Sequence, residues 1–407
     1  MLIKTLKHLS LSLSLVSSMS FIQADNTTNP EWSTWLGPNE NGIISESLPN
    51  LTNLKLNWKK ELGLGYSSAI LSGDFLFCLG HDSKAKETLF CINKTTGKTL
   101  WSKSYKAELI PKLHAGGPNA STLIHEGRLY SISKDGQVFC LNPQDGSSHW
   151  QTNLTKLFDA PVPSFGFSAS PMIMKGQLIL SQGKTASLDP ETGKINWVSD
   201  TKGDASYASP KLMSYKGNSY IIAMSSEGAN VIDFNTGKNI ASFAMKAKYS
   251  MIGATPVLTN NEGEFFASTN QTNSLLKFDG KNLKAVWTNT NLNNSFNTSL
   301  FIDGYLYGID GNHKSSRSKI VCLDAKTGKV TWEQSKTGFG SLIAGKDKIC
   351  FLSEAGELVN FEINPKQFKA TSKKKVLGGI CWTPPTITNN TIYVRNEPGL
   401  LLSLSNK

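Results

Sequence analysis

Asp189-Pro-Glu-Thr-Gly-Lys-Ile-Asn-Trp197 is the stretch whose reading decides the fold. An acidic side chain opens a tight turn, a Gly-Lys pair closes it, and a Trp follows eight residues after the Asp. Gly permits positive φ in such a turn, and Asn or Asp ahead of it can bond the turn backbone. The pattern recurs as Asn93…Thr96-Gly97-Lys98…Trp101, as Asn142…Asp145-Gly146…Trp150 and as Asp324…Thr327-Gly328-Lys329…Trp332. It returns as Asp233…Thr236-Gly237-Lys238 with Ala241 in the Trp slot, where Phe243 is expected to fill the space. In a sixth copy, Asp279…Trp287, the Gly is displaced. Successive Trp slots lie 49, 47, 44, 46 and 45 residues apart. A period in the forties built from short strands means a propeller blade or a similar four-stranded unit.

Outward from each turn, the rest of a blade can be read. Arg128–Ser133 and Gln137–Leu141 alternate apolar and polar residues and are joined by Lys134-Asp135-Gly136, a hairpin pattern. Ahead of each such pair runs an inner strand, marked by Ala-Ser-Pro171, Ala-Ser-Pro210, Ala-Thr-Pro256 and Trp-Thr-Pro384. Eight inner strands are expected, near Tyr66, Asn119, Ser168, Tyr207, Gly253, Phe296, Phe339 and Trp382. The eighth set ends at Gly399–Leu404 without an outer strand, and Leu54-Lys-Leu-Asn-Trp58 stands ready to supply it. Closing the last blade with an N-terminal strand removes a sheet edge. The expectation is an all-β, eight-bladed β-propeller of four-stranded antiparallel blades over residues 51–407, with 25–50 as an N-terminal strap.

Composition agrees with a single folded ring. The 407 residues are 39% hydrophobic with nine Trp, which excludes global disorder, and only 18% charged. Residues 1–24 have the layout of a signal peptide: Lys4 and Lys7, an apolar Leu/Ser segment from Leu9 to Met19, then Phe21-Ile22-Gln23-Ala24 before Asp25. Their removal takes two Lys and lowers the net charge from +11 to +9. No later apolar run is long enough for a membrane span, and no Cys precedes Cys78 to carry a lipid. The expected product is a soluble periplasmic or secreted protein, read as a monomer.

The Asn/Asp-x-x-Thr-Gly-Lys-x-x-Trp turn resembles the Trp-docking repeat of quinoprotein propellers, the pyrroloquinoline quinone (PQQ)-like repeats. The chain is similar to secreted PQQ-like propeller proteins of the planctomycete-type group. The resemblance is carried by WSTWLGPNENG (32–42), GGPNASTLIHEGRLYSISKDGQVFCLNPQDGSSHW (116–150), GFSASP (166–171), SYASP (206–210) and CWTPPTITNNTIYVRN (381–396). It implies a fold in the quinoprotein alcohol dehydrogenase-like superfamily, which holds both dehydrogenases and non-catalytic scaffolds. Among the scaffolds is the propeller subunit of the outer-membrane barrel-assembly machinery.

In the family's dehydrogenases PQQ lies at the axial funnel with Ca²⁺ beside it, and such a site needs cations, metal-binding oxygens and a base. The eight residues aligned at the inner-strand mouth carry no charge. His114, Asp159, Asp204 and Arg395 on nearby loops are the groups that would have to rescue such a site. The adjacent Cys-Cys pair of those enzymes is absent, as is a Cys-x-x-Cys-His haem motif. No catalytic residue, cofactor or metal site is therefore assigned. The expected function is an exported binding or scaffold module for a protein or for an envelope or extracellular ligand. The alternative is a PQQ- and Ca²⁺-dependent oxidoreductase of alcohols or sugars. Candidate ligand-binding residues are Tyr66, Asn119, Tyr207, Phe296, Phe339 and Trp382, which would either form a stacking platform at the channel mouth or plug it.

Trp101, Trp150, Trp197, Trp287 and Trp332 are expected to pack between blades. Cys91, Cys140 and Cys322 share one repeat slot, so buried free thiols are expected. Cys78 and Cys91 form a bridge only if they are cross-strand partners. Lys373-Lys374-Lys375, placed after the seventh outer strand, and His313–Arg317 in a hairpin loop are read as solvated tips, or as contacts for an anionic partner. Nucleic-acid binding is not expected, since no aromatic-basic interleaving occurs.

Overall fold

In each repeat the Asn or Asp side chain caps its own turn. Asp189 accepts hydrogen bonds from the Glu191 and Thr192 amides and from the Thr192 hydroxyl, and Asp233 does the same for Asn235 and Thr236. The Gly that follows takes φ near +70° (+71° at Gly193, +74° at Gly237). Each of these turns joins the third strand of a blade to the outer strand of the same blade. A computed structural model describes residues 32–388 and 390–406, so the expected signal peptide lies outside the described residues. Among those described, thirty-two strands form eight four-stranded antiparallel sheets. Seven sheets are consecutive meanders, from Ile70–Lys106 in blade 1 to Gly340–Lys375 in blade 7. Blade 8 combines Thr386–Thr388, Thr391–Arg395 and Leu400–Asn406 with the N-terminal strand Leu54–Glu61, which pairs with the last strand from Leu54↔Asn406 to Glu61↔Leu400.

The tryptophans explain the motif. Trp101 on the outer strand of blade 1 donates its indole N–H to the Pro143 carbonyl in the turn of blade 2, at 2.9 Å. Trp150 reaches Pro190, Trp197 reaches Phe234, Trp287 reaches Ala325 and Trp332 reaches Asn364, at 2.8 to 3.1 Å. Trp58 closes the circle by donating to Lys94 of blade 1 at 2.9 Å. The turn Gly of the next blade lies on the rings of Trp58, Trp101, Trp150, Trp197 and Trp287, so that a Cβ at Gly146 would fall 2.8 Å from Trp101 and one at Gly193 2.7 Å from Trp150. Trp332, whose partner turn has no Gly, instead meets the Phe368 ring. Indole and glycine are thus two halves of one inter-blade joint. Trp58 is a member of the series that spacing alone did not include, because its strand belongs to the last blade.

Two expectations need correction, and the cysteine condition is resolved in favour of free thiols. Tyr215, not Phe243, serves where Ala241 breaks the series: its ring packs on Phe278 and lies against Gly263 and Gly280 of blade 5. Lys373–Lys375 do not follow the seventh outer strand but form its end, within Ala370–Lys375. Cys78 pairs with Phe90, and Cys91 with Phe77, so the two thiols occupy adjacent pairs on opposite faces of the sheet. All six cysteines are buried free thiols, and Cys91, Cys140 and Cys322 each stand opposite a repeat Trp.

A ladder of hydroxyls holds the inner strands together. The Ser68 amide donates to Ser121 Oγ, the Ser121 amide to Ser170 Oγ and the Ser170 amide to Ser209 Oγ, at 2.9 to 3.0 Å. The small polar residue of the Ala-Ser-Pro marker is therefore an inter-blade fastener. Residues 32–50 cross the ring at the far ends of these strands. Trp32 and Ser33 bond Leu71 and Ile124, Lys211 bonds the Glu40 carbonyl, and Ile43 forms a parallel bridge with Ala344.

Candidate functional site

The extended segments that lead into the inner strands converge on one funnel. Its lining includes Tyr66, Asn119, Ser168, Tyr207, Gly253, Phe296 and Trp382 from the eight positions aligned in sequence. Phe339 is the exception: it is 1% exposed and packs beneath Phe296, with ring centroids 4.7 Å apart. The other walls come from segments that the repeat pattern does not mark. Leu113 and His114 lie in the connection before blade 2, Phe165 in the one before blade 3, and Met251 before blade 5. His313 belongs to the hairpin read as a solvated tip, yet it lies 5.1 Å from Trp382 and 6.1 Å from Phe296. Below the rim the walls are Ser170, Ser209, Thr255 and Thr383, and Trp35 of the strap forms the floor. The funnel holds about 950 Å³ of space, partly continuous with bulk solvent. The channel is thus closed from the strap side and open at the inner-strand mouth.

The rim is a connected set of rings. Tyr66 and Trp382 stack at 5.2 Å with 14° between their planes. His114 meets Tyr66 edge-on at 5.4 Å and stacks on Phe165 at 5.8 Å, and Phe165 meets Tyr207 edge-on at 5.5 Å. Phe296 lies 4.9 Å from Trp382. Two carboxylates anchor the stacked pair from behind. Tyr66 donates its hydroxyl to Glu397, which also accepts from the Ala115 amide at 3.0 Å. Trp382 donates its indole N–H to Glu354 at 2.8 Å, and Glu354 takes the Lys314 amide at 2.9 Å. Each Glu links loops of different blades, so the rim is braced around its circumference.

No lining side chain carries a charge at neutral pH. Burial pushes His114 down to about 3, with repulsion from Lys134 and, once it is protonated in acid, from His313 adding to the effect. Burial likewise lowers His313, and it raises Tyr66 and Tyr207 above the ordinary phenol value. Arg395, a candidate anion-binding group in sequence, is 1% exposed and spends its guanidinium on the carbonyls of Leu79 (2.7 Å), Ser67 and Gly63 (3.2 Å each). It is a fastener between blades 8 and 1. Asp159 caps the short helix Leu154–Phe158 in the left-handed conformation, and neither it nor Asp204 lines the funnel.

These residues do not fit PQQ with Ca²⁺. Three carboxylates would meet no cationic side chain in the lining, and among the described residues no group of three or more His, Cys, Asp or Glu could hold a metal ion.

Fold and repeats together define a PQQ-like β-propeller of the quinoprotein dehydrogenase-like superfamily. Residues 85–334 match the family described as outer membrane protein assembly factor BamB, and the chain belongs to that family. It is similar to the outer membrane protein assembly factor BamB of Moranella endobia (strain PCIT), at 22% identity across 94% of this chain and 92% of that protein. It is also similar to the dehydrogenase subunit of alcohol dehydrogenase (quinone) from Gluconacetobacter polyoxogenes, at 25% identity over 41% of this chain and only 25% of that subunit. Among solved structures it resembles quinohemoprotein alcohol dehydrogenase from Comamonas testosteroni, with TM-score 0.69 and 13% identity over 92% of this chain and 80% of that one. It resembles BamB from Moraxella catarrhalis as well, with TM-score 0.60 and 15% identity over 86% and 99% of the two chains. At these identities the structural likeness speaks for the fold. Among the described residues no helix is long and apolar enough to cross a membrane.

Proposed function

We propose that this chain is a non-catalytic binding propeller of the cell envelope, acting outside the cytoplasm after loss of residues 1–24, and that its aromatic funnel seats a segment of a partner protein. The observation that carries this reading is the funnel itself: a wide, open mouth whose rings are fixed by Glu354 and Glu397, with no charged side chain in the lining. Rigid aromatic surface of this kind binds by burial and stacking, at little cost in side-chain entropy. A reaction on alcohols would need a base and an electron acceptor, and the lining offers His114 and His313 as the titratable candidates beside its tyrosines. The name of the family, an outer membrane protein assembly factor, supports a role among envelope proteins. The reading includes a monomeric protein that takes up no PQQ.

The test uses the mature protein immobilised and exposed to envelope extract, beside a variant with Tyr66, Tyr207 and Trp382 all replaced by Ala. The wild type is expected to retain a ligand that the triple variant loses, with the far-UV spectrum and melting transition of the variant confirming its fold. Retention by both proteins would remove the funnel from the reading. Titration with PQQ and Ca²⁺ is expected to show no saturable binding. Stoichiometric uptake, with dye-linked oxidation of an alcohol, would establish the oxidoreductase alternative instead.

A further inference from the structure

The rim has an electrostatic character that its neutral lining conceals. Both rings of the stacked pair donate through their polar tips to carboxylates, Tyr66 to Glu397 and Trp382 to Glu354. An aromatic ring whose O–H or N–H donates to an anion gains electron density, and the anion adds its own field behind the ring. The negative face of the quadrupole, which attracts cations, is strengthened on both counts. Phe296 and Phe165 extend this surface, while His114 and His313 stay uncharged and do not oppose it.

The positive groups around the rim stay outside its lining. Lys134 is buried beside Glu87 with no hydrogen bond to its ammonium, and burial lowers it to about 7. Arg395 is bonded to the backbone carbonyls of Leu79, Ser67 and Gly63 at blade 1, and Lys314 is solvent-exposed. An anion would find no cationic side chain in the lining, where the Trp35 indole N–H on the floor is a buried unpartnered donor. The Ser168, Ser170 and Ser209 oxygens that face the funnel already accept from the Asn119 side-chain amide and from the Ser121 and Ser170 backbone amides.

We propose that the mouth is an aromatic cage for a cation, and that its occupant is the basic side chain, Arg or Lys, of a partner protein's extended segment. The inference rests on the reading that this funnel is the binding site, and it assigns that site its chemistry. The cationic head lies among Tyr66, Trp382 and Phe296, with its charge balanced by Glu354 and Glu397 one layer behind. The methylene stem crosses the apolar rim.

Fluorescent anisotropy with capped nonapeptides of Gly and Ser around one central residue tests this on the full mature chain. The central residue is Arg, Lys, citrulline or acetyl-lysine; citrulline matches Arg in shape without its charge. The Arg and Lys peptides are expected to bind at least tenfold tighter than their neutral counterparts, and Trp382→Leu is expected to abolish the difference. Glu354→Gln keeps a carbonyl for the indole N–H but removes the charge. It is expected to weaken the Arg peptide several-fold and leave the citrulline peptide unchanged, with the melting temperature held. Equal binding of charged and neutral peptides, all lost in Trp382→Leu, would overturn the cation assignment and leave the funnel as a binding site. No binding by any peptide would overturn the assignment too, while capture of the envelope ligand by wild type and not by the triple variant would still uphold the funnel.

Discussion

One hydrogen atom separates glycine from alanine, and position 146 shows how much can rest on it. Gly146 and Gly127 have nearly the same φ, +72° and +70°, but a Cβ at 127 meets nothing within 4 Å while one at 146 would fall 2.8 Å from the Trp101 ring. Gly127→Ala should therefore cost about 1 kcal/mol from backbone strain alone. Gly146→Ala should cost about 2–4 kcal/mol, since overpacking against an indole adds to that strain. Urea denaturation of the two variants measures the difference, and equal values would mean the indole yields freely. The thiols make a second residue-scale case. All six are buried, and burial pushes Cys91, Cys350 and Cys381 each up to about 12. None should react with a thiol reagent at pH 8 until the protein is unfolded, when six should appear. The sequence showed these residues as repeat positions because turn, Trp and Cys recur at fixed spacing. It did not show His313, whose place at the rim depends on a hairpin of blade 6 leaning against Trp382 of blade 8.

At the scale of elements, the joint that matters most is the one made by two distant parts of the chain. Trp58, 8% exposed, sits on the N-terminal strand and docks on the blade 1 turn, so it both completes blade 8 and fastens it to blade 1. Trp58→Ala should cost about 3–5 kcal/mol for the cavity, and a buried N–H···O bond of about 1 kcal/mol is lost with it. The reading is the shift in denaturation midpoint against Trp197→Ala, which removes a joint between consecutive blades and should cost less. The closing strand was legible, because the last blade visibly lacked a fourth strand and a spare one stood at the front. The replacement for Ala241 was not: Tyr215 lies 26 residues upstream, at the end of an inner strand, and no local pattern ties it to the slot.

Across the whole molecule, packing blade against blade buries groups that no single blade would bury. Glu87 of blade 1 is fully buried, accepts from Tyr105 (2.9 Å) and the Lys134 amide (3.0 Å), and is pushed up to about 7, chiefly by burial. A carboxyl raised from 4.5 gives stability that is complete below pH 4.5 and is lost as pH rises towards 7. The stability of wild type relative to Glu87→Gln should thus fall by about 3 kcal/mol between pH 4.5 and pH 7. Denaturation at half-unit pH steps checks this, and a constant difference would show that Glu87 titrates normally. The sequence by itself determined the ring: eight blades, their closure and the order of their strands follow from six copies of the turn and eight inner-strand positions, which are local patterns at a fixed period. It also placed seven of the funnel-lining residues, because equivalent strand positions must converge on the axis. Only the tertiary structure decided what that funnel is. Its floor is the strap's Trp35, its outer walls are unpatterned loops, and its rings are braced by Glu354 and Glu397 from other segments. These contacts join residues far apart in sequence, so their energies depend on how the blades meet and leave no periodic trace along the chain.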